Sequence, residues 1–357
     1  MRGTIIKRGA GYSVVLDLGR GPDGKRLRRW HSGYRTKKDA ERGRIELLGR
    51  IDQGAYVEPS RLTVAGFLRD QWLPGLKAQV RPKTWEEHRS HVDVHVIPAL
   101  GAERLQRLTP AHLNTLYADL LAKGLQARTV LHTHATIRRA LADAVKWSIL
   151  ARNVALQASP PRPGRPELTT WTAGELRAFL EHVAGDRLYA LWLLAASTGM
   201  RRGEVLGLRW ADVDLQAARV AVRQALVTVN HQVIISEPKT ARGRRSVALD
   251  PTTVEALKAH RKQQLTERLA WGPAWVEEGL VFTRPDGRAL HPREVTRMFN
   301  RRVRAAGLPT IRLHDLRHTH ATLALQAGVH PKVVQERLGH ANIAITLDTY
   351  SHAVPAL

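Results

Sequence analysis

The sequence predicts a multidomain, mainly α-helical protein with small β-sheets. At 357 residues the chain is long enough for two or three domains, each with its own core. Strand-like alternation is confined to residues 1–55 and about 218–250, whereas apolar residues recur at three- and four-residue spacing through most of the remaining sequence. Residues 159–167 contain four prolines and separate two helical stretches. We therefore expect a small β-sheet plus helix at the N-terminus, a helical domain, and an α+β domain at the C-terminus.

Composition indicates a nucleic-acid partner. The formal charge of +24 attracts polyanions, so nucleic acid is expected ahead of an anionic membrane surface or a merely basic soluble protein. Aromatic residues make up only 5%, which argues against a single-strand binder that stacks bases. Duplex DNA, held through its phosphates, fits the composition better.

The absence of cysteine and of long apolar runs narrows the possibilities further. Without cysteine there are no disulfides, thiolate metal sites or thiol catalysis, in keeping with a reducing interior. No apolar run approaches the ~20 residues of a membrane span. The N-terminus lacks the apolar segment of a secretory signal. These features predict a cytoplasmic protein.

The first domain, residues 1–55, is predicted to combine three strands with a helix. TIIKR, YSVVLDLG and KRLRRWHSGY have strand character, GPDGK forms the turn between the last two, and a helix follows Thr36. Residues 1–50 contain 14 Arg and Lys against 5 Asp and Glu, a net charge of +9. One face of the sheet is expected to enter a major groove through Arg26, Arg28 and Arg29, the alternative being a solvated charged surface.

The second domain, residues 62–155, is predicted to be a bundle of four helices, one of which starts at Thr109-Pro110. Lys83, Arg138 and Arg139 are its candidate DNA contacts. Its histidines lack carboxylate partners at ligand spacing, so we expect scattered surface residues rather than a metal site. These histidines are His88, His91, His95, His132 and His134.

A Pro-rich linker, residues 156–168, is predicted to precede a third domain at residues 169–357. Thr172 and Glu175 form the pattern of a capping box at its first helix. Helices are expected to about Leu208, followed by a strand meander, ARVAVRQALVTVN, QVIISEPK and RRSVALD, and then by helices to the end.

Four stretches of the third domain contain polar residues of a restricted kind: STGMRRGEVLGLRW, EPKTARGRRS, HDLRHTHAT and LGHANIAITLDTY. Helical spacing places the arginine and glutamate of the first, and the histidine and arginine of the third, on common faces. The lysine of the second lies in a turn between strands, and the glycine of the fourth lies where a helix ends. The candidate residues are Arg201, Glu204, Lys239, His314, Arg317, His340 and Tyr350.

These side chains suit metal-free attack on a phosphodiester. No acidic cluster that could hold two Mg²⁺ ions accompanies them. Two guanidiniums bind non-bridging oxygens in a planar fork, and loss of one such preorganised donor typically raises a barrier by about 3–4 kcal/mol. Neither a metal nor another cofactor is therefore expected.

Tyr350 is the expected nucleophile. Because the reference pKa of a phenol is about 10, it needs assistance at neutral pH. We expect the two arginines to lower this pKa, His314 to accept the proton and Lys239 to protonate the departing 5′ oxygen. The resulting 3′-phosphotyrosyl bond retains the energy of the broken bond, so that strands rejoin without ATP.

Simpler interpretations exist for single residues. His314, His318 and His320 have partial metal-ligand spacing, although no glutamate accompanies them. Arg201 alone has the character of a surface charge at a helix start. Lys239 alone is an ordinary turn lysine close to other basic residues, namely Arg242, Arg244 and Arg245. The joint pattern, rather than any one residue, favours an active site, and Arg242 is retained as a candidate DNA contact.

TGMRRGE, HDLRHT, and LGH followed ten residues later by Tyr resemble the motifs of the tyrosine recombinases, the phage integrase family. The resemblance covers residues 165–357. It implies that Arg201, Lys239, His314, Arg317, His340 and Tyr350 occupy the six active-site positions and that Glu204 braces the first arginine. It also implies a SAM-like core-binding domain at residues 62–155 and an arm-type DNA-binding domain at the N-terminus.

The family implies a C-shaped clamp on double-stranded DNA attachment sites and a homo-tetramer that exchanges strands through a Holliday junction. It further implies integration and excision of a phage or mobile element, an accessory directionality or bending factor, and association with the nucleoid of a prokaryotic host. One departure is that seven residues follow Tyr350, whereas many relatives dock a longer segment on the neighbouring protomer.

Two other function classes share these residues. A topoisomerase of type IB would nick and reseal one strand without a tetramer, and relaxation of a plasmid lacking attachment sites would distinguish it. A catalytically idle DNA-binding regulator of the same fold is the other alternative, against which the intact polar set argues.

Overall fold

The computed structural model describes residues 2–20, 24–52, 56–164, 168–236 and 244–350. The chain divides into two units, residues 1–164 and 165–357, and this division falls within the predicted linker. None of the helices in the described ranges is both long and apolar enough to cross a membrane.

The first unit begins with an antiparallel sheet of β1 (Arg2–Arg8), β2 (Gly11–Arg20) and β3 (Arg26–Tyr34), in the order β1-β2-β3, followed by α1 (Lys37–Asp52). The hydroxyl of Thr36 accepts a hydrogen bond from the backbone N–H of the third residue after it at 3.1 Å, as expected of an N-cap. The predicted three strands and helix are confirmed. The predicted GPDGK turn lies in part outside the described residues.

Strand register separates the three candidate arginines of the sheet. Arg29 lies opposite Leu16, a core residue, and forms an ion pair with Glu58 on that face. Arg28 lies opposite Asp17 on the other face, where β3 also exposes Arg26 and Trp30, whose ring lies 5.7 Å from the Arg8 guanidinium. Two of the three arginines therefore share the open face of the sheet.

Four helical segments follow, as predicted. Two of them contain a proline, Pro74 or Pro98, shortly after a π-helical turn. A proline ring has no N–H to donate and would clash with the preceding turn of a regular α-helix. The wider π-helical turn makes room for it. In chain order the segments are α2 (Val64–Gly66), a π turn (Phe67–Trp72) and α3 (Leu73–Lys77); α4 (Pro82–His91), a π turn (Val92–Val96) and α5 (Ile97–Leu100); α6 (Pro110–Ala122); and α7 (Ala127–Lys146).

The histidines of these helices are not all surface residues, and that expectation is wrong for three of them. His134 is buried and its Nδ1 lies 2.7 Å from the hydroxyl of Tyr117. His88 and His91 are half-buried, with Nδ1 3.0 and 2.9 Å from threonine hydroxyls on α7. They face inward because the threonines supply the hydrogen bonds that a buried imidazole requires.

In the part of the second unit that the structure describes, the helices pack around two small sheets. One sheet has the order β4-β5-β8 and the other is the hairpin β6-β7. The strands are β4 (Val213–Asp214), β5 (Arg219–Val222), β6 (Ala225–Val229), β7 (Gln232–Ser236) and β8 (Arg245–Ala248). The helices are α8 (Ala173–His182), α9 (Tyr189–Thr198), α10 (Arg202–Leu206), α11 (Pro251–Trp271), α12 (Pro292–Ala305), α13 (Asp315–Gln326), α14 (Pro331–Leu338) and α15 (Ile343–Tyr350).

The prediction of a single strand meander is wrong, because β5 and β6 belong to different sheets. Gln224 donates a hydrogen bond to the carbonyl of Gly207 at 2.9 Å. A Cβ on Gly207 would lie 3.0 Å from the Cα of Ala225, so the start of β6 packs directly on the end of α10. This contact draws β6 away from β5. The capping box at Thr172 and Glu175 is confirmed.

Candidate active site

The first predicted arginine lies at a tight break between two helices. Gly199 ends α9 with a φ of +64°, a conformation that favours glycine. Arg201 then precedes α10, and Glu204 accepts hydrogen bonds from its backbone N–H at 2.9 Å and its guanidinium at 2.8 Å. Glu204 therefore sets both the backbone and the side chain of Arg201, as predicted from their spacing.

A second guanidinium, not predicted, shares this carboxylate. Arg245 on β8 donates to the two oxygens of Glu204 at 3.2 and 2.8 Å, and its Nε donates to the carbonyl of Arg337 at 2.7 Å. The side chains of Arg245 and Glu204 are only 7% and 6% exposed. Burial alone would raise the pKa of Glu204, but the two arginines hold it below its usual value. Strand alternation with buried Val247 was the available signal for an inward-facing Arg245.

Arg317 joins three of the predicted stretches. It lies on α13, is 3% exposed, and donates to the carbonyl of Gly199 at 2.8 Å and to that of Leu338 at 2.7 Å. Burial lowers its pKa to about 9, and the Arg201 guanidinium acts in the same direction. Arg317 nevertheless remains charged at neutral pH.

His340 follows Gly339, which ends α14 with a φ of +69°. Its Nδ1 lies 2.8 Å from the Thr346 hydroxyl, and its carbonyl accepts a hydrogen bond from Gln335 at 2.6 Å. Burial, followed by Arg317, lowers the pKa of His340 to about 4. The imidazole is therefore a neutral hydrogen-bonding group near neutral pH, and not a cation.

Tyr350 is fully buried at the end of α15, with its ring parallel to that of His340 at a centroid distance of 6.4 Å. Burial raises the pKa of Tyr350 to about 12, while Arg317 opposes this rise and Asp315 adds to it. Arg317 acts on the phenol pKa in the predicted direction, but the net pKa is raised rather than lowered. Desolvation of the phenolate outweighs the attraction of Arg317.

The hydroxyl of Tyr350 contacts a histidine other than the predicted one. Nδ1 of His318 lies 2.6 Å from the Tyr350 oxygen. His314 is exposed at the start of α13, and its ring meets that of His318 edge to face at 5.2 Å. The i, i+4 spacing of His314 and His318 was the available signal, since it places both rings on one helical face.

The other candidates lie elsewhere. Lys239 and Arg242 lie outside the described residues. In the first unit Lys83 pairs with Glu86 at 2.8 Å, whereas Arg138 is exposed and Arg139 is half-buried on α7.

The histidines in and next to α13, namely His314, His318 and His320, do not converge on a common metal position. Nδ1 of His320 faces the carbonyl of Ala196 at 3.1 Å, away from the contact between His318 and Tyr350. Within the ranges that the structure describes, no group of three His, Asp or Glu residues is placed to hold a metal ion.

Two family patterns match the chain. The phage integrase family matches residues 170–356, just over half of the sequence, and the phage integrase N-terminal SAM-like domain matches residues 66–121.

Individual relatives match over nearly the whole length. A protein described as tyrosine recombinase XerC-like from Caldanaerobacter subterraneus subsp. tengcongensis is 29% identical, over 96% of this chain and 93% of its own. An integrase from Streptomyces ambofaciens is 31% identical, over 95% and 88%. The solved Tn1549 transposon integrase in complex with transposon right end DNA has a TM-score of 0.70 at 21% identity, over 81% of this chain and 94% of that one. This last similarity shows a shared fold.

Proposed function

The chain belongs to the phage integrase family of tyrosine recombinases, and from this premise we propose that it cleaves and rejoins duplex DNA through a 3′-phosphotyrosyl intermediate. The observation that carries this proposal is the position of Arg317. It binds the carbonyls of Gly199 and Leu338, next to Arg201 and His340, and its charge acts on Tyr350. One guanidinium thus joins segments that are far apart in sequence and also acts on the phenol.

The chemistry follows from these groups. A guanidinium has five N–H donors, and Arg317 uses Nη1 and Nη2 to hold the fold while retaining further N–H groups for a phosphate. Arg201 and Arg317 neutralise the charge that develops on the non-bridging oxygens. The Tyr350 oxygen attacks phosphorus, and Lys239 protonates the departing 5′ oxygen. Since Tyr350 is buried, DNA binding must expose its hydroxyl to the scissile phosphate.

The substrate is proposed to be a pair of double-stranded DNA attachment sites. Four copies of the chain would exchange strands between them. Residues 1–55 would act as the arm-type domain, with Arg26 and Arg28 on its open face. Residues 62–155 would grip core DNA through Lys83, Arg138 and Arg139. The similarity to a protein described as an integrase supports integration of a phage or mobile element. We further propose that the chain also excises that element, in the nucleoid of a prokaryotic host and with an accessory factor.

A test uses nicked duplexes tiled across the DNA that flanks the encoding gene, which trap a covalent intermediate. We expect the wild-type chain to form an adduct with a 3′ end, in EDTA as well as in Mg²⁺, and Tyr350→Phe to bind the same duplex without forming one. Tyr189→Phe serves as the matched control and should still form the adduct. An adduct in Tyr350→Phe, or one that requires added metal, would contradict the proposal.

A further inference from the structure

Among the residues that the structure describes, the imidazole in hydrogen-bond contact with the Tyr350 hydroxyl is that of His318. The Nδ1–Oη distance of 2.6 Å is that of a strong hydrogen bond. In the neutral tautomer that carries its proton on Nε2, Nδ1 of His318 accepts this hydrogen bond and the phenol donates it. His318 thus contacts the Tyr350 oxygen, which is the atom that attacks phosphorus in the proposed mechanism.

The neighbouring imidazoles are less suited to take this proton. His340 stacks parallel to the phenol at 6.4 Å, and its Nδ1 faces Thr346. His314 is exposed and meets the His318 ring, without a hydrogen bond to Tyr350 among those of the described residues.

Charged groups next to His318 determine how readily its imidazole becomes protonated. Burial, Arg317 and Arg312 lower the pKa of His318, while the carboxylate of Asp315 raises it and so favours the imidazolium. Asp315 is held in place by Arg312, whose backbone N–H donates at 2.8 Å and whose Nη2 donates at 2.7 Å. A fixed carboxylate is therefore available to stabilise a proton that arrives on His318.

We propose that His318, rather than His314, is the general base of the cleavage step, an inference that rests on the proposed function. As the bond from the Tyr350 oxygen to phosphorus forms, the phenol proton passes to Nδ1 of His318. The bond from phosphorus to the 5′ oxygen breaks, and that oxygen takes its own proton from Lys239. Rejoining reverses these transfers, so that His318 returns its proton to the phenol.

The test compares His318→Asn with His314→Asn in single-turnover adduct formation on a nicked duplex that the wild-type chain cleaves. Asparagine places Oδ1 near the position of Nδ1, accepts the same hydrogen bond, and does not take up a proton near neutral pH. Loss of a general base lowers rates by roughly 10²–10⁴-fold, and we expect a loss in this range for His318→Asn. His182→Asn, on an exposed residue at the end of α8, is the matched control and should keep the wild-type rate.

A substrate with sulfur in place of the 5′-bridging oxygen separates acid from base. A thiolate leaves without protonation, so the sulfur substrate should restore the rate of Lys239→Ala and leave His318→Asn as slow as before. Added imidazole should restore part of the rate of His318→Ala. Each rescue compares the rate of one variant under two conditions. The result therefore does not depend on whether the variant folds as well as the wild-type chain.

Several outcomes would overturn the inference. A faster His318→Asn would mean that the imidazole restrains Tyr350 at rest, and an unchanged rate would mean that no proton transfer to His318 contributes to cleavage. Rescue of His318→Asn by the sulfur substrate would make His318 an acid, and a larger unrescued loss in His314→Asn would make His314 the base. If the wild-type chain itself forms no adduct on any duplex, the proposed function fails instead.

Discussion

At the scale of single residues, Glu204 organises the cationic side of the site. One carboxylate accepts hydrogen bonds from Arg201 and Arg245, and the latter also binds the carbonyl of Arg337 near the end of α14. A buried arginine needs such a partner because an unpaired buried charge is strongly unfavourable. Glu204 thus connects the position of one guanidinium, which we propose to bind phosphate, with the packing of another.

Glu204→Gln tests this connection, since glutamine keeps the size of the side chain and removes its charge. Breaking a buried pair while one charge remains typically lowers the free energy of unfolding by about 3–5 kcal/mol, and we expect a loss near the lower end because Arg201 is partly exposed. Urea unfolding at pH 7 measures it. The control, Glu255→Gln, removes an exposed partner of Lys258 and should change stability by less than about 0.5 kcal/mol. Equal losses in the two variants would contradict a special role for Glu204.

Spacing within one helix predicted local contacts but not contacts between helices. The pairing of Arg201 with Glu204 followed from helical spacing, and so did the position of Gly339 at a helix end. His318 was considered only as a metal ligand, because its bond to Tyr350 joins α13 to the end of α15. Such a contact depends on how two helices pack, which spacing within either helix does not determine.

At the scale of elements, β3 shows how alternation assigns neighbouring arginines to different roles. Arg28 lies on the open face of the sheet, whereas Arg29 lies on the face that α1 covers and pairs with Glu58. The sequence interpretation placed both on DNA. The strand period of two residues, applied to the core position Leu16, separates them.

Arg28→Ala and Arg29→Ala form a matched pair for the proposed DNA-binding role of this face. We expect Arg28→Ala to weaken binding to a duplex and to reduce the slope of log K against log salt by about 1, since one phosphate contact is lost. Arg29→Ala should leave that slope unchanged and affect stability through the loss of its pair with Glu58. Titrations at several salt concentrations, followed by fluorescence anisotropy, measure both. A lower slope in Arg29→Ala alone would place the DNA on the opposite face.

Element boundaries were more predictable than element partners. The N-terminal strands and the capped starts of helices followed from local signals such as Thr36, Thr109 and Thr172. The division of the predicted meander into two sheets did not, because it results from the close packing of Gly207 against Ala225. A contact between distant segments thus overrode a continuous strand pattern.

At the scale of the whole molecule, composition indicates a nucleic-acid partner, and the proline count predicted where the chain divides. The charge of +24 is consistent with a protein of the phage integrase family, and the division between residues 164 and 165 lies within the Pro-rich segment. The ionisation state of the histidines was not predictable in this way. It depends on burial, which composition does not report.

Burial makes the stability of the whole chain sensitive to mild acid. It lowers the pKa of His91, His320 and His340 to about 4, whereas an unfolded histidine titrates near 6.5. Between these values the unfolded chain binds more protons, so the free energy of unfolding falls as pH falls, by up to about 1.4 kcal/mol per pH unit for each such histidine.

Most carboxylates titrate below this window, so urea unfolding between pH 7 and 5 isolates the contribution of the histidines. His320→Gln should flatten the dependence, whereas His182→Gln, on an exposed residue, should not. Stability that stays constant or rises toward pH 5 would show that these imidazoles are not held neutral by the fold.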